Sequence, residues 1–139
     1  MATPMPGALP ISSLAFVVLA LTAMYLLALG ACALLRPAMA RGFLLGHASS
    51  ARLHYLELAL RLLVGVALMF RAPAMPWPQG FTVAGGVLVG TTLVLALVPW
   101  RRHQAFARRT VPQALRFLPM LGVASLALGA GLLYAIVLA

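Results

Sequence analysis

The stretch YLELALRLLVGVALMF, residues 55–70, decides what kind of chain this is. Apart from Glu57 and Arg61, every residue in it is apolar or glycine. The run approaches the ~20 residues that a helix needs to cross a ~30 Å hydrocarbon core. Lipid offers the backbone no hydrogen-bond partners, so a run of this length without period-two alternation is a helix. Glu57 is the only acidic residue in the chain, and it stands one helical turn before Arg61. An ionisable residue inside a membrane span is costly unless it is paired or faces a polar interior, so this pair is the first candidate for a site.

Three further apolar runs flank this one, giving expected spans at approximately 10–35, 53–70, 80–98 and 117–138. Hydrophobic residues make up 64% of the 139-residue chain and charged residues 8%, whereas soluble domains carry roughly 25% charged residues. The expected architecture is all-α: residues 1–139 form a single four-transmembrane-helix bundle with no separate soluble domain. Residues 1–35 carry no charged side chain and the first apolar run is too long for the core of a signal peptide, so a cleaved leader is not expected. Leu29-Gly30-Ala31-Cys32 loosely resembles a lipoprotein processing box but lacks the basic start. Cys32, the single cysteine, is read as a packing residue.

Arginine sets the expected orientation. Arg36, Arg41, Arg52, Arg101, Arg102, Arg108, Arg109 and Arg116 fall in the first and third connections, and only Arg71 in the second. By the positive-inside rule the first and third connections are cytoplasmic and both termini periplasmic, in a bacterial inner membrane. The absence of lysine fits a GC-rich bacterial genome. Trp77 and Trp100, at opposite ends of the third span, suit the interfacial belts. The net charge of +9 lies along membrane-adjacent loops, which points to the bilayer's anionic headgroups at the cytoplasmic face as partner and not to nucleic acid.

A shift of about 62 to 64 residues lays Pro37 on Pro99, Phe43 on Phe106, Arg52 on Arg116 and Gly65 on Gly129. That is the pattern of a tandem repeat of two helical hairpins, related by an axis along the membrane normal. In each half the connection reads as a short amphipathic helix lying in the inner interface: Pro37 to Gly46, and Trp100 to Arg109 with Pro112 ending it. Between the second and third spans, Ala72-Pro73-Ala74-Met75-Pro76-Trp77-Pro78 reads as an extended external turn. Gly86 with Gly90, and Ser125 with Gly129, form small-xxx-small pairs suited to helix packing, within the bundle or in a homo-oligomer. Thr91 and Thr92 can bond their own helix carbonyls and need no further role.

On the second helix, Ser50, His54, Glu57, Arg61, Gly65 and Leu68 project into one stripe, which should face the bundle interior or a partner. Glu N-terminal to Arg at this spacing is the favourable order. Two roles compete for the stripe. One is structural, with the pair neutralising itself and fixing the helix's rotation. The other is a proton or anion site, with Glu57 as carrier and His54 as relay to the cytoplasm; an adjacent guanidinium favours the charged carboxylate and works against such carriage. No metal or other cofactor is expected: His47, His54 and His103 have no thiol or carboxylate cluster at metal spacing. A chain with no Asp, one Glu and no phosphate-binding glycine loop lacks the parts of an enzyme.

In size, span number and lone membrane carboxylate the chain resembles small multidrug-resistance transporters, although in that family the glutamate lies on the first helix without an adjacent arginine. Arg61-Leu62-Leu63-Val64-Gly65 is similar to the arginine-plus-glycine helix of DoxX-like four-helix proteins, where it belongs on the first helix. His54-Tyr55-Leu56-Glu57, Thr91-Thr92 and Pro99-Trp100-Arg101-Arg102-His103 together resemble an uncharacterised group of small four-helix bacterial membrane proteins, a likeness that implies fold and location but no activity. The expected role is a non-enzymatic accessory or structural component, alone or in a larger membrane complex, with a small proton-linked transporter as the alternative. The topology is directly testable: alkaline phosphatase fused after Ala139 should be active and fused near Arg108 inactive, and the opposite pattern would invert the orientation.

Overall fold

Proline sets most of the boundaries between helices. In the computed structural model, which describes residues 10–139, Pro10 precedes α1 (Ile11–Leu35) and Pro37 opens α2 (Pro37–Ser49). Pro78 opens α4 (Pro78–Leu97) and Pro99 precedes α5 (Trp100–Ala114). Proline lacks only an N–H that the first helical turn leaves unbonded in any case, so it is tolerated there. α3 (Ala51–Arg71) begins instead on Ser50, whose hydroxyl oxygen accepts from the Leu53 N–H at 3.4 Å. α6 (Leu118–Leu138) follows a 3-10 turn at Leu115–Phe117. Among the described residues there is no strand.

Four helical stretches, Ile11–Leu35, Ala51–Ala74, Pro78–Leu97 and Trp100–Leu138, are long and apolar enough to cross a membrane, the architecture of a multi-pass membrane protein. Two local expectations are corrected. Pro112 lies inside α5 and does not end it: the Leu115 N–H bonds the Val111 carbonyl, so the hydrogen-bond ladder resumes beyond the proline. The turn after α3 is not extended throughout, since Ala72–Ala74 forms a 3-10 turn before Met75 becomes extended and buried. Trp77 closes the turn in the left-handed region at φ 56, uncommon for a bulky residue. Its carbonyl accepts from Gly80 N and Phe81 N at 2.9 and 3.3 Å and so starts α4.

The long helices pack in the order α4, α3, α1, α6. The interfaces are α3 with α4, α1 with α3 and, most extensive, α1 with α6; no comparable interface joins α4 to α6, so the expected bundle is open on that side. The main core joins Leu19 and Ala23 of α1, Ala67 and Leu68 of α3, and Leu132 and Ile136 of α6, with Met75 from the turn. A second core, of Ala33, Ala40, Leu115 and Leu118, lies where α2 and the start of α6 meet the end of α1.

Small residues set how closely these helices approach. A Cβ on Gly85 would lie 2.6 Å from the Gly65 carbonyl oxygen, and one on Gly65 would lie 3.0 Å from that of Gly85. Between α1 and α6, Gly129 faces the Ala23 carbonyl and Gly30 that of Gly122, at 3.0 and 2.7 Å from the same construction. A Cβ built on Gly86 or Gly90, both expected to pack, would meet nothing within 4 Å. The buried residues of α4 are Gly85 and Thr92, seven apart on one face, and a one-residue step turns the side-chain direction by about 100°. Gly85→Ala should therefore cost about 1 to 3 kcal/mol through overpacking, whereas Gly86→Ala should be neutral or gain up to ~1 kcal/mol of helix propensity. Thermal unfolding in detergent distinguishes the two, and equal effects would contradict this contact.

Candidate functional site

The i, i+4 spacing on α3 brings Glu57 and Arg61 together as helical geometry requires, with Arg61 Nη1 at 3.5 Å from Glu57 Oε1. Neither residue stops there. The second carboxylate oxygen lies 3.7 Å from Nε2 of His47, on α2. On the other side Arg61 Nε donates to the Thr92 hydroxyl at 3.3 Å and Nη2 to the Thr91 hydroxyl at 3.4 Å, both on α4. The threonines donate in turn to their own helix, Thr92 to the Leu88 carbonyl at 2.6 Å and Thr91 to that of Val87 at 2.7 Å. With each hydroxyl proton committed to a carbonyl, the oxygen lone pairs are left to face a cation. A polar chain thus runs from α2 through α3 to α4.

This chain lies at the edge of the predicted stripe. His54, Gly65 and Leu68 are buried, but the Glu57 and Arg61 side chains are 42% and 32% exposed. Thr92 is fully buried and Thr91 exposed. The 3.5 Å between Arg61 and Glu57 is longer than a direct charge-assisted hydrogen bond, so charge attraction and not a tight bidentate fork holds the carboxylate. Ser50 serves as the cap of α3.

His54 does not extend the chain toward Glu57. Only 4% exposed, it stacks on His103 of α5 at 4.0 Å between ring centroids and lies 5.0 Å from the ring of Trp100. The imidazole beside Glu57 is that of His47. The His54 ring thus meets α5, and among the described residues it forms no ion pair with Glu57. His54 and His103 do come from two helices, but stacked faces leave no room for an iron between their nitrogens. Among the described residues no group of three or more His, Cys, Asp or Glu is placed to hold a metal ion.

The remaining candidates are scattered. Gly129 is buried against α1 and Ser125 is half-buried one turn before it. Trp77 is 74% exposed at the start of α4, while Trp100 is half-buried at the start of α5. Cys32 packs against the second core. At the far end of α3, Arg71 sits over the Phe16 ring at 5.7 Å, and its buried Nε has no hydrogen-bond partner.

His47, Thr91 and Thr92 escaped the sequence reading as partners because the periodicity of one helix says nothing about its neighbours. A usable signal existed for the threonines. In an antiparallel hairpin turning about Pro76, reflection of position 61 lands on position 91. No family model, no curated protein and no solved structure matches this chain, so the likenesses to transporter, DoxX-like and uncharacterised groups rest on the quoted residues alone.

The exposure of the pair moderates its energetics. Breaking a buried ion pair by removing one partner costs ~3 to 5 kcal/mol; here Glu57→Leu should cost about 1 to 3 kcal/mol, because Arg61 keeps its threonine acceptors. Arg61→Leu should be milder, since a lone carboxyl can take up a proton. The double Leu variant should regain most of the loss in thermal unfolding in detergent; simple additivity of the two singles would show that the pair is not coupled.

Proposed function

We propose that the protein is a non-enzymatic accessory or structural component of the bacterial inner membrane, working within a larger membrane complex or as a homo-oligomer. The observation that carries this reading is the half-exposed Glu57–Arg61 pair. Glu57 stands six and Arg61 ten residues into α3, about 9 and 15 Å along its axis at 1.5 Å per residue. Charge at that depth is tolerated where protein or water, and not lipid, surrounds it. A neighbouring membrane subunit against the α3–α4 face supplies such a surrounding, and the open α4–α6 side leaves further surface for it.

The arginine bias supports cytoplasmic connections and periplasmic termini. Contacts of α5 support an interfacial placement: its start meets His54 of α3, and Leu115, just past its end, packs with Ala33 of α1 and Ala40. A helix of 15 residues, about 22 Å long, nearly matches three helix spacings of 8–10 Å, which is the reach from α4 to α6 along the row. Packing also favours a tandem repeat. Shifting by about 62 to 64 residues takes the contact of Ala23 with Gly129 onto that of Gly85 with Gly65, the two helix pairs exchanging roles. The α1–α3 interface has no such counterpart between α4 and α6.

One observation favours the alternative, a small proton-linked transporter: the polar chain from His47 to Thr92 crosses three helices without a break. Extraction in mild detergent followed by mass spectrometry of copurifying proteins separates the readings. A stoichiometric membrane partner or a homo-oligomer is expected. A lone monomer, together with loss of a transport phenotype in folded, abundant Glu57→Gln, would reverse the assignment.

A further inference from the structure

The arginines of α5 have no counter-charge within the chain. Its one carboxylate side chain, Glu57, is engaged by Arg61 and His47. Arg101, Arg108 and Arg109 line, with Gln104 and Ala105 of the same helix, a shallow, open depression of about 330 Å³. Positions 101, 104 and 108 lie one turn apart in succession, so their side chains form a continuous strip. Like charges on one helix face repel, and an anion from outside relieves them. Guanidinium groups match phosphate oxygens through paired N–H donors, and the Gln104 amide adds a neutral donor.

Two further observations say what kind of anion fits. Arg108 also lines a second, mostly apolar crevice of about 150 Å³ between α2 and α5, together with Leu45, Ser49, Ala107, Val111 and Pro112. Charge and apolar surface meet at this one side chain, as they do in an amphiphile and not in a free inorganic ion. Phe106, on the same helix beside Arg102 and Arg109, is 64% exposed. Tethering adds the third constraint. Only Val98 and Pro99 separate the end of α4 from α5, so with α4 spanning the bilayer the strip begins at the level of the headgroups.

We infer that Arg101, Gln104, Arg108 and Arg109 form a binding site for the phosphate of an anionic phospholipid headgroup, with the α2–α5 crevice taking adjoining apolar parts of the same lipid. The site is independent of the Glu57 pair and of the proposed assembly, and rests on the interfacial placement of α5 proposed above. Phosphate chemistry is shared by lipid and soluble anion, so both sources belong in the test. The full-length protein in a neutral detergent is titrated with phosphatidylglycerol, phosphatidylcholine or inorganic phosphate, and bound lipid is counted by native mass spectrometry. Phosphatidylglycerol should be retained, phosphatidylcholine not, and millimolar inorganic phosphate should displace little. Each well-placed arginine contributes about five-fold in affinity. The exposed double variant Arg101→Gln, Arg108→Gln should therefore lose roughly 25-fold, while the control Arg36→Gln, Arg41→Gln, which removes the same charge outside the depression and so only part of the general attraction to the headgroups, should lose markedly less. Equal losses in both variants, equal retention of phosphatidylcholine, or displacement by stoichiometric inorganic phosphate would each overturn the headgroup site.

Discussion

The close approach of α3 and α4 at Gly65 and Gly85 is the constraint on which the rest of the structure depends. Each glycine's missing Cβ leaves room for the other's carbonyl oxygen, so the two backbones meet where ordinary side chains would hold them apart. Lipid supplies no hydrophobic drive for helices to associate, which makes such backbone contact the main source of packing energy within a span. Because the two helices are this close, the guanidinium of Arg61 reaches the hydroxyls of Thr91 and Thr92. Burial of Thr92 and anchoring of Arg61 are thus two results of one glycine pair.

Anchoring Arg61 has its own effect on Glu57. A free arginine near mid-span would extend its long stem toward the nearer interface. Here the head is held sideways on α4 and also lies within attraction of the carboxylate one turn earlier. His47 approaches the same carboxylate from α2. One acidic group therefore links a connecting helix to two spans, and its position registers all three.

Much of the fold was legible in the residues, and the reasons are physical. The hydrocarbon core imposes a minimum length and excludes unpaired backbone, so composition alone located the four long helices to within a few residues. Proline gave the start of α2 because its ring fixes φ and needs no partner in the first turn; at α4 it was read as part of the turn, although Pro78 opens the helix. It misled at Pro112, where the ladder closes again beyond it. Helix faces were harder. Gly86 and Gly90 have the spacing of a packing motif, as do several other small residues, and spacing cannot say which face meets the neighbour; the decision lay with Gly85, one residue away. The site was half legible for the same reason. Glu57 and Arg61 share a helix, so their meeting follows from the helical repeat. His47 and the threonines come from other helices, and only the folded arrangement brings them in. His54 lies on the predicted stripe, but its ring packs on Trp100 and His103 at the start of α5, which the repeat of α3 alone does not reveal.

The pairing of α1 with α6 bears on how the chain is made. The first long helix finds its most extensive partner in the last one, more than eighty residues farther along the chain. At a synthesis rate of ~5 to 20 residues per second, α1 therefore waits on the order of ten seconds before that partner emerges. The α3–α4 hairpin needs no such wait, since its halves are joined by a short, proline-rich turn and can zip as soon as α4 is complete. Biogenesis thus has a natural order, with the glycine-sealed hairpin first and the outer helix last. During the interval α3 can cover part of the α1 face carrying Leu19 and Ala23 through Ala67 and Leu68, while the part that meets Leu132 and Ile136 stays uncovered.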